Sequence, residues 1–408
     1  LTALTDEYNA SQTKVKVSLE NQGGYEQTLD KYLQSSQDSR PDMVQAPEYA
    51  VQVMGDTDSN VPVGACIESA AYDTSDFLPK ALNQYFTEGV QWSMPFNVSD
   101  PVLYYNKKVF KAAGLDPNKP PTNMAELRTM SQAIVDSGAA GYGLSLDTGA
   151  DSGGGWFLEQ WFAKLGELFS DNDNGRLAPS TKVNFDSQVG IDLLTDLQSL
   201  VNDGLAYNVG DNASGQDALL KLADPDNAAA MTIATSAALG TVLTTVQGGL
   251  IPGITTDDIG VGPMPAPGDA DAPGAIVGGA SLWIVNHDDP AKAAAVWDFI
   301  SFLITAESQS MWAAATGYVP VRSSALEVGA IAEKYKTDPR FKVAYDQLLQ
   351  AADSPASLGA ILGPQREIRT LSARAIATVL QGGDVTTALT DAANQANALL
   401  SAYITANQ

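Results

Sequence analysis

The 408-residue sequence has little cysteine and little histidine. A single cysteine, Cys66, excludes an intramolecular disulfide, a CxxC redox pair and a zinc site built on cysteines. The lone His287 excludes a metal site with several histidines. No nucleophile motif accompanies this histidine, so a Ser-His-Asp mechanism has no support beyond one residue. We therefore expect no metal, no cofactor and no catalytic residues of these kinds.

Positive charge is also scarce, with 23 Lys and Arg against 48 Asp and Glu and a net charge of -25. Proteins bind nucleic acids and anionic lipids through Lys and Arg side chains that neutralise phosphates. The long-range field of this chain opposes both kinds of partner. We therefore expect no nucleic-acid partner.

Long hydrophobic runs are absent as well. No run of eighteen apolar residues occurs, so we predict no membrane-spanning helix. The opening residues, LTALTDEYNAS, lack the basic segment and apolar segment of a secretory signal, and they resemble the middle of a helix. We interpret the sequence as a mature or trimmed form of an extracytoplasmic protein, in the periplasm or at the cell surface.

Short apolar strands alternate with helices along the chain, and no internal repeat occurs, which indicates an α/β architecture. The first helix is predicted to end near Ser11, and the alternation of KVKVSLE predicts a strand. Cap residues predict helices that begin after Asn123, Asp289 and Thr305. The chain from Ile368 is Ala-rich and is predicted to be helical.

Two proline-punctuated apolar stretches are typical of segments that pass between domains. They are MPFNVSDPVLYYNKKVF from Met94 and IGVGPMPAPGDADAPGAIVGGASLWIV from Ile259. Several such crossings predict discontinuous domains with a cleft between them, and hinged clefts close around small ligands.

The same segments, together with TGYVPVRSSA from Thr316, resemble the extracytoplasmic solute-binding proteins of ABC importers. The resemblance is to the carbohydrate-type class that includes maltose-binding protein, and it extends over essentially the whole chain. QGGYEQTL, PDMVQAPEYA, AMTIATSAALG and LGPQREIR occur in the order seen in the glycerol-3-phosphate and glycerophosphodiester binding branch. The resemblance implies a two-domain α/β fold like that of maltose-binding protein, with three hinge crossings. Residues 1–100 with 264–314 would form one domain, and residues 101–263 with 315–408 the other.

The resemblance also carries ligand-binding roles onto seven positions of this sequence: Tyr25, Glu48, Ser99, Ser236, Gly279, Tyr318 and Arg369. Tyr25 would form an aromatic wall, and Glu48 would accept hydrogen bonds from ligand hydroxyls. Ser99 and Tyr318 would lie at the first and third crossings, and Gly279 would contact the ligand through its backbone.

Two of these positions concern an anion, and each has a simpler alternative. Ser236 precedes a predicted helix, so its hydroxyl and nearby N–H groups would face an anion, unless it only caps the helix. Arg369 would bind phosphate with its planar fork, unless it forms a surface ion pair. Arg366, three residues earlier, takes that role if the alignment of LGPQREIR with the family motif shifts by three residues.

For Glu48 the alternative is a solvated loop carboxylate.

One segment departs from the family pattern. Glycerol-3-phosphate binders carry a tryptophan where this sequence has Ser152 to Gly155, and Trp156 comes slightly later. Three glycines predict a more open pocket that admits a larger head group such as choline. Tyr25, Tyr318 or Trp156 could hold that group by cation–π contact. A plain glycine loop is the alternative.

The sequence therefore predicts the substrate-binding component of an ABC importer and not an enzyme. Its ligand would be a glycerophosphodiester such as glycerophosphocholine, or glycerol-3-phosphate, delivered to the permease subunits. We expect a monomer that is lipid-anchored and whose signal segment is missing here. A maltose- or trehalose-type oligosaccharide is the alternative ligand. A glycoside hydrolase is the rival class, but no carboxylate pair stands out.

Overall fold

The computed structural model describes residues 1–212, 216–224, 228–272 and 274–407. The chain forms two compact units. The first unit comprises Leu1–Ser99 and Val277–Asp338, and the second comprises Asp100–Ile276 and the chain from Pro339 onward. The polypeptide therefore passes from one unit to the other three times.

The α-helices, in chain order, are α1 (Thr2–Ser11), α2 (Tyr25–Gln34), α3 (Val51–Gly55), α4 (Val63–Ala70), α5 (Pro79–Gln84), α6 (Lys107–Ala112), α7 (Met124–Asp136), α8 (Gly155–Lys164), α9 (Asp171–Asn174), α10 (Gln188–Asn202), α11 (Gln216–Leu220), α12 (Leu239–Gln247), α13 (Pro290–Leu303), α14 (Ala306–Thr316), α15 (Gly329–Thr337), α16 (Val343–Gln350), α17 (Pro355–Leu358), α18 (Gln365–Leu380) and α19 (Val385–Ala406). The strands are β1 (Met43–Pro47), β2 (Asn60–Val61), β3 (Phe86–Thr87), β4 (Val90–Gln91), β5 (Met94–Ser99), β6 (Pro101–Asn106), β7 (Tyr142–Asp147), β8 (Ala206–Gly210), β9 (Ala229–Thr235), β10 (Ile259–Pro263) and β11 (Gly278–Val285).

The first unit is built around β11, which pairs antiparallel with β1, β2 and β5. Its sequence, GGASLWIV, is almost continuously apolar, and all its residues except Gly279 are buried. A strand with a continuous apolar sequence is covered on both faces of its sheet, so its apolar residues need not alternate with polar ones. The large side chain of Trp283 is fully buried in this core. The sheet thereby holds the ends of β1 and β5 on either side of one rigid strand.

The second unit contains a five-stranded sheet in the order β10-β6-β9-β7-β8. β7 runs parallel to both β8 and β9, whereas β6 runs antiparallel to its neighbours β9 and β10. Parallel pairing requires long crossover connections, and α10 lies in the one from β7 to β8. Trp161 and Phe162 of α8 and Phe185 are almost completely buried in the core of this unit.

The second boundary between the units lies later in the chain than the sequence predicted. Residues 264–276 belong to the second unit and not, as expected, to the first. The Met264 N–H donates to Gln347 Oε1 at 2.8 Å, and the Ile276 N–H donates to Gln160 Oε1 at 3.0 Å. Both amide side chains are buried, so they replace water as partners for the backbone of this segment.

The third boundary also differs from the prediction, since residues 315–338 remain with the first unit. The Ser310 hydroxyl on α14 donates to the Val328 carbonyl at 2.7 Å and accepts from the Ile331 N–H at 3.1 Å. These bonds fasten the start of α15 to α14. Tyr318 therefore lies within the first unit and not at the third crossing.

Several local predictions are confirmed. α1 ends at Ser11, and the side chains of Asn123, Asp289 and Thr305 each accept hydrogen bonds from the first turn of the helix that follows. The strand predicted for KVKVSLE is wrong, because residues 14–20 have no regular structure. There the backbone of Val17 pairs with the side chain of Asn9, at 2.8 Å in each direction, instead of a neighbouring strand.

Gln347 gives a test of how the second unit is held together. Its Nε2 donates to Asp100 Oδ2 at 3.0 Å and to the Pro101 carbonyl at 2.8 Å, in addition to its bond with Met264. Gln347→Ala should lower the free energy of unfolding by about 2–4 kcal/mol, since each buried polar group left without a partner costs roughly 1–3 kcal/mol. Chemical denaturation measures the change. Gln350→Ala, exposed at the end of the same helix, is the control, and an equal effect of both variants would contradict this account.

Candidate functional site

In the first unit, Tyr25 and Tyr318 form a cluster with Asn97. Tyr25 is the first residue of α2, directly after the turn at Gly24. Its hydroxyl lies 3.3 Å from the Tyr318 hydroxyl and accepts a hydrogen bond of 2.6 Å from Asn97 Nδ2. Gln45 Nε2 in turn donates to Asn97 Oδ1 at 2.5 Å. The sequence predicted both tyrosines but missed Asn97 and Gln45, whose amide groups orient the Tyr25 hydroxyl.

Glu48 lies beside this tyrosine cluster. It begins the short 3₁₀ helix Glu48–Ala50 immediately after β1, and only 7% of its surface is exposed. The alternative of a solvated loop carboxylate is therefore wrong. Burial raises the pKa of Tyr25 well above its usual value, with further increases from Tyr318 and from the negative charge of Glu48. Tyr25 is thus a neutral hydroxyl at physiological pH, able to donate and to accept a hydrogen bond.

Ser99 and Gly279 lie where β5 and β11 pair. Ser99 ends β5 and is 3% exposed, and the register places Val98 opposite Gly279. Gly279 has φ +95°, and a Cβ at this position would lie 1.9 Å from the Asn97 carbonyl oxygen. Only glycine fits this backbone. The pairing register shifts directly after Ala280, so an irregularity of the β5–β11 pairing lies next to this glycine.

Trp312 of α14 was not predicted and packs against the tyrosine cluster. Its ring is stacked on Tyr318, with centroids 5.6 Å apart and an interplanar angle of 15°. Phe96 stacks on Trp312 at 5.1 Å. The Trp312 indole N–H is buried and has no hydrogen-bond partner among the described residues. A buried donor of this kind is rare in native proteins.

In the second unit, Arg369 of α18 forms a buried ion pair with Glu159 of α8. Arg369 Nε donates to Glu159 Oε1 at 2.7 Å, and Nη2 donates to Oε2 at 2.8 Å. The ion pair that the sequence offered as the alternative therefore does form, but its side chains are only 3% and 2% exposed, so it is buried and does not lie at the surface. Gln365 Nε2 also donates to Glu159 Oε2, at 3.2 Å. Arg366 is half-buried and lies 3.4 Å from Glu367 instead.

The glycine segment before α8 packs tightly, which contradicts the prediction that it opens a pocket. A Cβ at Gly153 would lie 1.9 Å from the Asp147 carbonyl oxygen. At Gly154 it would lie 2.7 Å from Ala373 Cβ, and at Gly155 2.7 Å from Arg369 Cβ. The glycines therefore let this loop approach α18 closely. No space for a tryptophan exists at Gly153 or Gly154.

Trp156 follows those glycines on α8 and is 5% exposed. Its ring packs at a tilt against Phe157, with centroids 5.6 Å apart. The Trp156 indole N–H, like that of Trp312, is buried without a partner among the described residues. Among the described residues, the first unit thus holds a buried indole donor without a partner at Trp312, near Tyr318, and the second unit holds one at Trp156, near Glu159.

Ser236 lies at the start of the 3₁₀ helix that precedes α12 and is 4% exposed. The cap of that helix is Thr235, whose hydroxyl accepts from the Ala237 N–H, so the N-cap alternative for Ser236 is wrong. The Ser236 N–H donates to the Asp100 carbonyl at 2.9 Å, and its hydroxyl accepts from the Asp100 N–H at 3.4 Å. This exchange fixes Ser236 to the first residue after the crossing from β5.

The predicted site residues therefore form two sets. Tyr25, Glu48, Ser99, Gly279 and Tyr318 belong to the first unit, and Ser236 and Arg369 belong to the second. The first set presents hydroxyl groups, a carboxylate and aromatic rings. The second set presents a buried guanidinium and a hydroxyl.

Residues 3–343 match the family of bacterial extracellular solute-binding proteins. The chain belongs to this family. The sn-glycerol-3-phosphate-binding periplasmic protein UgpB of Pectobacterium atrosepticum is 30% identical over 411 residues, which cover 98% of this chain and 87% of that protein. This solute-binding protein is therefore extracytoplasmic, binds a small molecule and serves an ABC transporter, and it is not an enzyme.

Solved structures establish the fold. UgpB from Mycobacterium tuberculosis in complex with glycerophosphocholine superposes with a TM-score of 0.81 at 21% identity, covering 99% of this chain and 95% of that chain. Maltose-bound MalE3 of T. maritima superposes with a TM-score of 0.76 at 16% identity, covering 98% and 95%. The solute-binding protein thus has the two-domain α/β fold of maltose-binding-protein-like proteins, as predicted. None of the helices in the described ranges is long and apolar enough to cross a membrane.

Replacing Gly154 tests the close packing of the loop on α18. Gly154→Ala should lower the free energy of unfolding by about 1–3 kcal/mol, because the added methyl group would lie 2.4 Å from the Thr148 carbonyl oxygen and 2.7 Å from Ala373 Cβ. Gly248→Ala is the control, since its φ of -71° is ordinary and the nearest atom to an added Cβ is 3.3 Å away. Thermal and chemical unfolding measure both variants. An unchanged Gly154 variant would restore the open-loop interpretation.

Proposed function

We propose that this solute-binding protein captures a glycerophosphodiester, with glycerophosphocholine as the first choice, and delivers it to the permease of its ABC importer. The observation that carries the proposal is Arg369, a guanidinium that is 3% exposed in a chain of net charge -25. In a chain with this field, a phosphate needs hydrogen-bond donors that are held in place, and Glu159 fixes the guanidinium of Arg369 in one orientation. The P. atrosepticum relative is named as an sn-glycerol-3-phosphate-binding protein, and the M. tuberculosis UgpB structure is a complex with glycerophosphocholine. Both support a ligand that contains glycerol and phosphate.

In this proposal the second unit binds the phosphate. The planar guanidinium of Arg369 matches the spacing of phosphate oxygens. Ser236 adds a hydroxyl, held in place by its exchange with the backbone of Asp100. The indole N–H of Trp156 is a further donor, and its ring is one of the candidates for a cation–π contact with choline.

The first unit binds the glycerol part in this proposal. Glu48 accepts hydrogen bonds from glycerol hydroxyls, and Tyr25 and Tyr318 act as donors and acceptors beside it. Ser99 adds a third hydroxyl, and the backbone at Gly279 comes close because no side chain intervenes. The support is the buried tyrosine cluster, in which Asn97 orients the Tyr25 hydroxyl before any ligand arrives. Preorganised donors reduce the entropy that binding costs.

The second candidate ligand is an oligosaccharide of the maltose or trehalose type. One observation favours it, namely that Glu159 already compensates the charge of Arg369 through two short hydrogen bonds. On this account the arginine joins two helices, and the stacked rings of Trp312 and Tyr318 face a sugar. The maltose complex of T. maritima MalE3 shares the fold.

Two finer expectations complete the proposal. We expect the protein to act as a monomer and to be held at the cell surface by a lipid, and both expectations rest on the sequence resemblance alone. Light scattering after size-exclusion chromatography tests the first. Mass spectrometry of the protein isolated from cells tests the second.

Calorimetric titration with glycerophosphocholine, glycerol-3-phosphate, maltose and trehalose tests the ligand class. We expect glycerophosphocholine to bind and Arg369→Gln to weaken it by about 2–5 kcal/mol, the loss measured when one partner of a buried charged contact is truncated. Arg369→Lys keeps the charge but loses the fork, so it should give an intermediate loss.

Arg374→Ala is the matched control for this titration, because Arg374 lies on the same helix and is exposed. Circular dichroism and thermal melts confirm that each variant is folded before it is titrated. Full affinity in a folded Arg369→Gln protein, or tight binding of maltose or trehalose by wild type without any phosphodiester binding, would move the assignment to a neutral sugar.

A further inference from the structure

Arg369 does not present an uncompensated positive charge. Glu159 meets it through two parallel hydrogen bonds of 2.7 and 2.8 Å, and both side chains are almost completely buried. A forked arginine–carboxylate pair of this kind fixes the plane of the guanidinium as well as its charge balance. Any anion that binds Arg369 is therefore also repelled by Glu159, from which it is separated only by the guanidinium group.

A second carboxylate lies on the other side of the guanidinium. Asp151 Oδ1 is 3.8 Å from Arg369 Nη1, and its side chain is 35% exposed. It lies in the loop that the following glycines pack against α18, so its position is set by that packing. Burial raises the pKa of Asp151, while Arg369 acts in the opposite direction, followed by the smaller effects of Glu159 and Arg366.

Two further charges of opposite sign, Arg366 and Glu367, lie near this group. Arg366 also acts on Asp151, and it is itself within 3.4 Å of Glu367. The net charge of this group is -1 when its carboxyl groups are ionised. It contains two arginines, Arg366 and Arg369, and three carboxylates, Asp151, Glu159 and Glu367. The repulsion that a fixed carboxylate exerts grows in proportion to the charge of the ligand.

We propose that Glu159 and Asp151 are specificity-determining residues that make the phosphate site at Arg369 select a singly charged phosphodiester over a doubly charged phosphate monoester. This inference rests on the proposed function, since it requires Arg369 to bind the ligand phosphate. A monoester carries close to two negative charges above its second pKa near 6, whereas a diester carries one. The carboxylates therefore penalise the monoester about twice as strongly as the diester.

Titration at pH 8 with three probes separates the charge of the phosphate from that of the head group. Glycerol-3-phosphate is the dianion, glycerophosphoglycerol is a monoanion with an uncharged head, and glycerophosphocholine is the same monoanion with a cationic head. Wild type should bind glycerophosphoglycerol more tightly than glycerol-3-phosphate. In Asp151→Asn, the dissociation constant of glycerol-3-phosphate divided by that of glycerophosphoglycerol should fall about tenfold. One neighbouring like charge shifts an ionisation equilibrium by about that factor.

Glu159→Gln should narrow the same ratio, because an amide keeps the shape and an acceptor oxygen but removes the charge. Glu159→Asp, which keeps the charge, should leave the ratio near the wild-type value even where both affinities fall. Asp391→Asn removes one carboxylate from an exposed position on α19 and should leave the ratio unchanged. A purely structural role for Glu159 would lower both affinities together without changing their ratio.

The outcomes separate this inference from the proposed function. If wild type binds the phosphodiesters but the ratio stays the same in Asp151→Asn and Glu159→Gln, the inference is wrong and the proposed function stands. If wild type binds none of the three probes, the proposed function itself is wrong. Should Glu159→Gln fail to fold, Asp151→Asn decides the matter, because Asp151 is partly exposed and its replacement leaves the buried pair intact.

Discussion

The buried ion pair between Arg369 and Glu159 is the interaction on which the arrangement of the second unit around its candidate phosphate site depends. It joins α18 to α8 through two hydrogen bonds in a region almost without exposure. Two charges placed there are tolerable only as partners, because either one alone would carry a large desolvation cost. The same arginine requires a glycine at the first residue of α8, since a Cβ at Gly155 would lie 2.7 Å from the Cβ of Arg369.

This constraint also changes how Arg369 is to be understood as a binding group. An isolated guanidinium in a chain of charge -25 would attract anions in general. A guanidinium held by Glu159 and faced by Asp151 has a fixed orientation and little net charge to offer. In the proposed function, geometry and the charge of the ligand would then decide which phosphate Arg369 accepts. A protein can gain specificity in this way while giving up some affinity.

The first unit differs from the second, because its hydrogen bonds hold hydroxyl groups in fixed positions. Asn97, 1% exposed, is held by Gln45 and orients Tyr25, and the Tyr25 hydroxyl lies beside that of Tyr318. Burial keeps the pKa of Tyr25 well above its usual value, so this hydroxyl is neutral. Such a network suits the hydroxyl groups of glycerol or of a sugar, so this cluster by itself does not separate the two candidate ligand classes.

The sequence by itself determined the α/β class, the caps at Asn123, Asp289 and Thr305, and the family. These features depend on hydrogen bonds within one turn of chain or on local order along it. Only the tertiary structure decided which residues that lie far apart in the sequence become partners. It paired Arg369 with Glu159, and it assigned residues 264–276 to the second unit through Gln160 and Gln347. It also turned the glycines at 153–155 from a predicted opening into a close contact, because the cost of a Cβ depends on what packs against it and not on the residue alone.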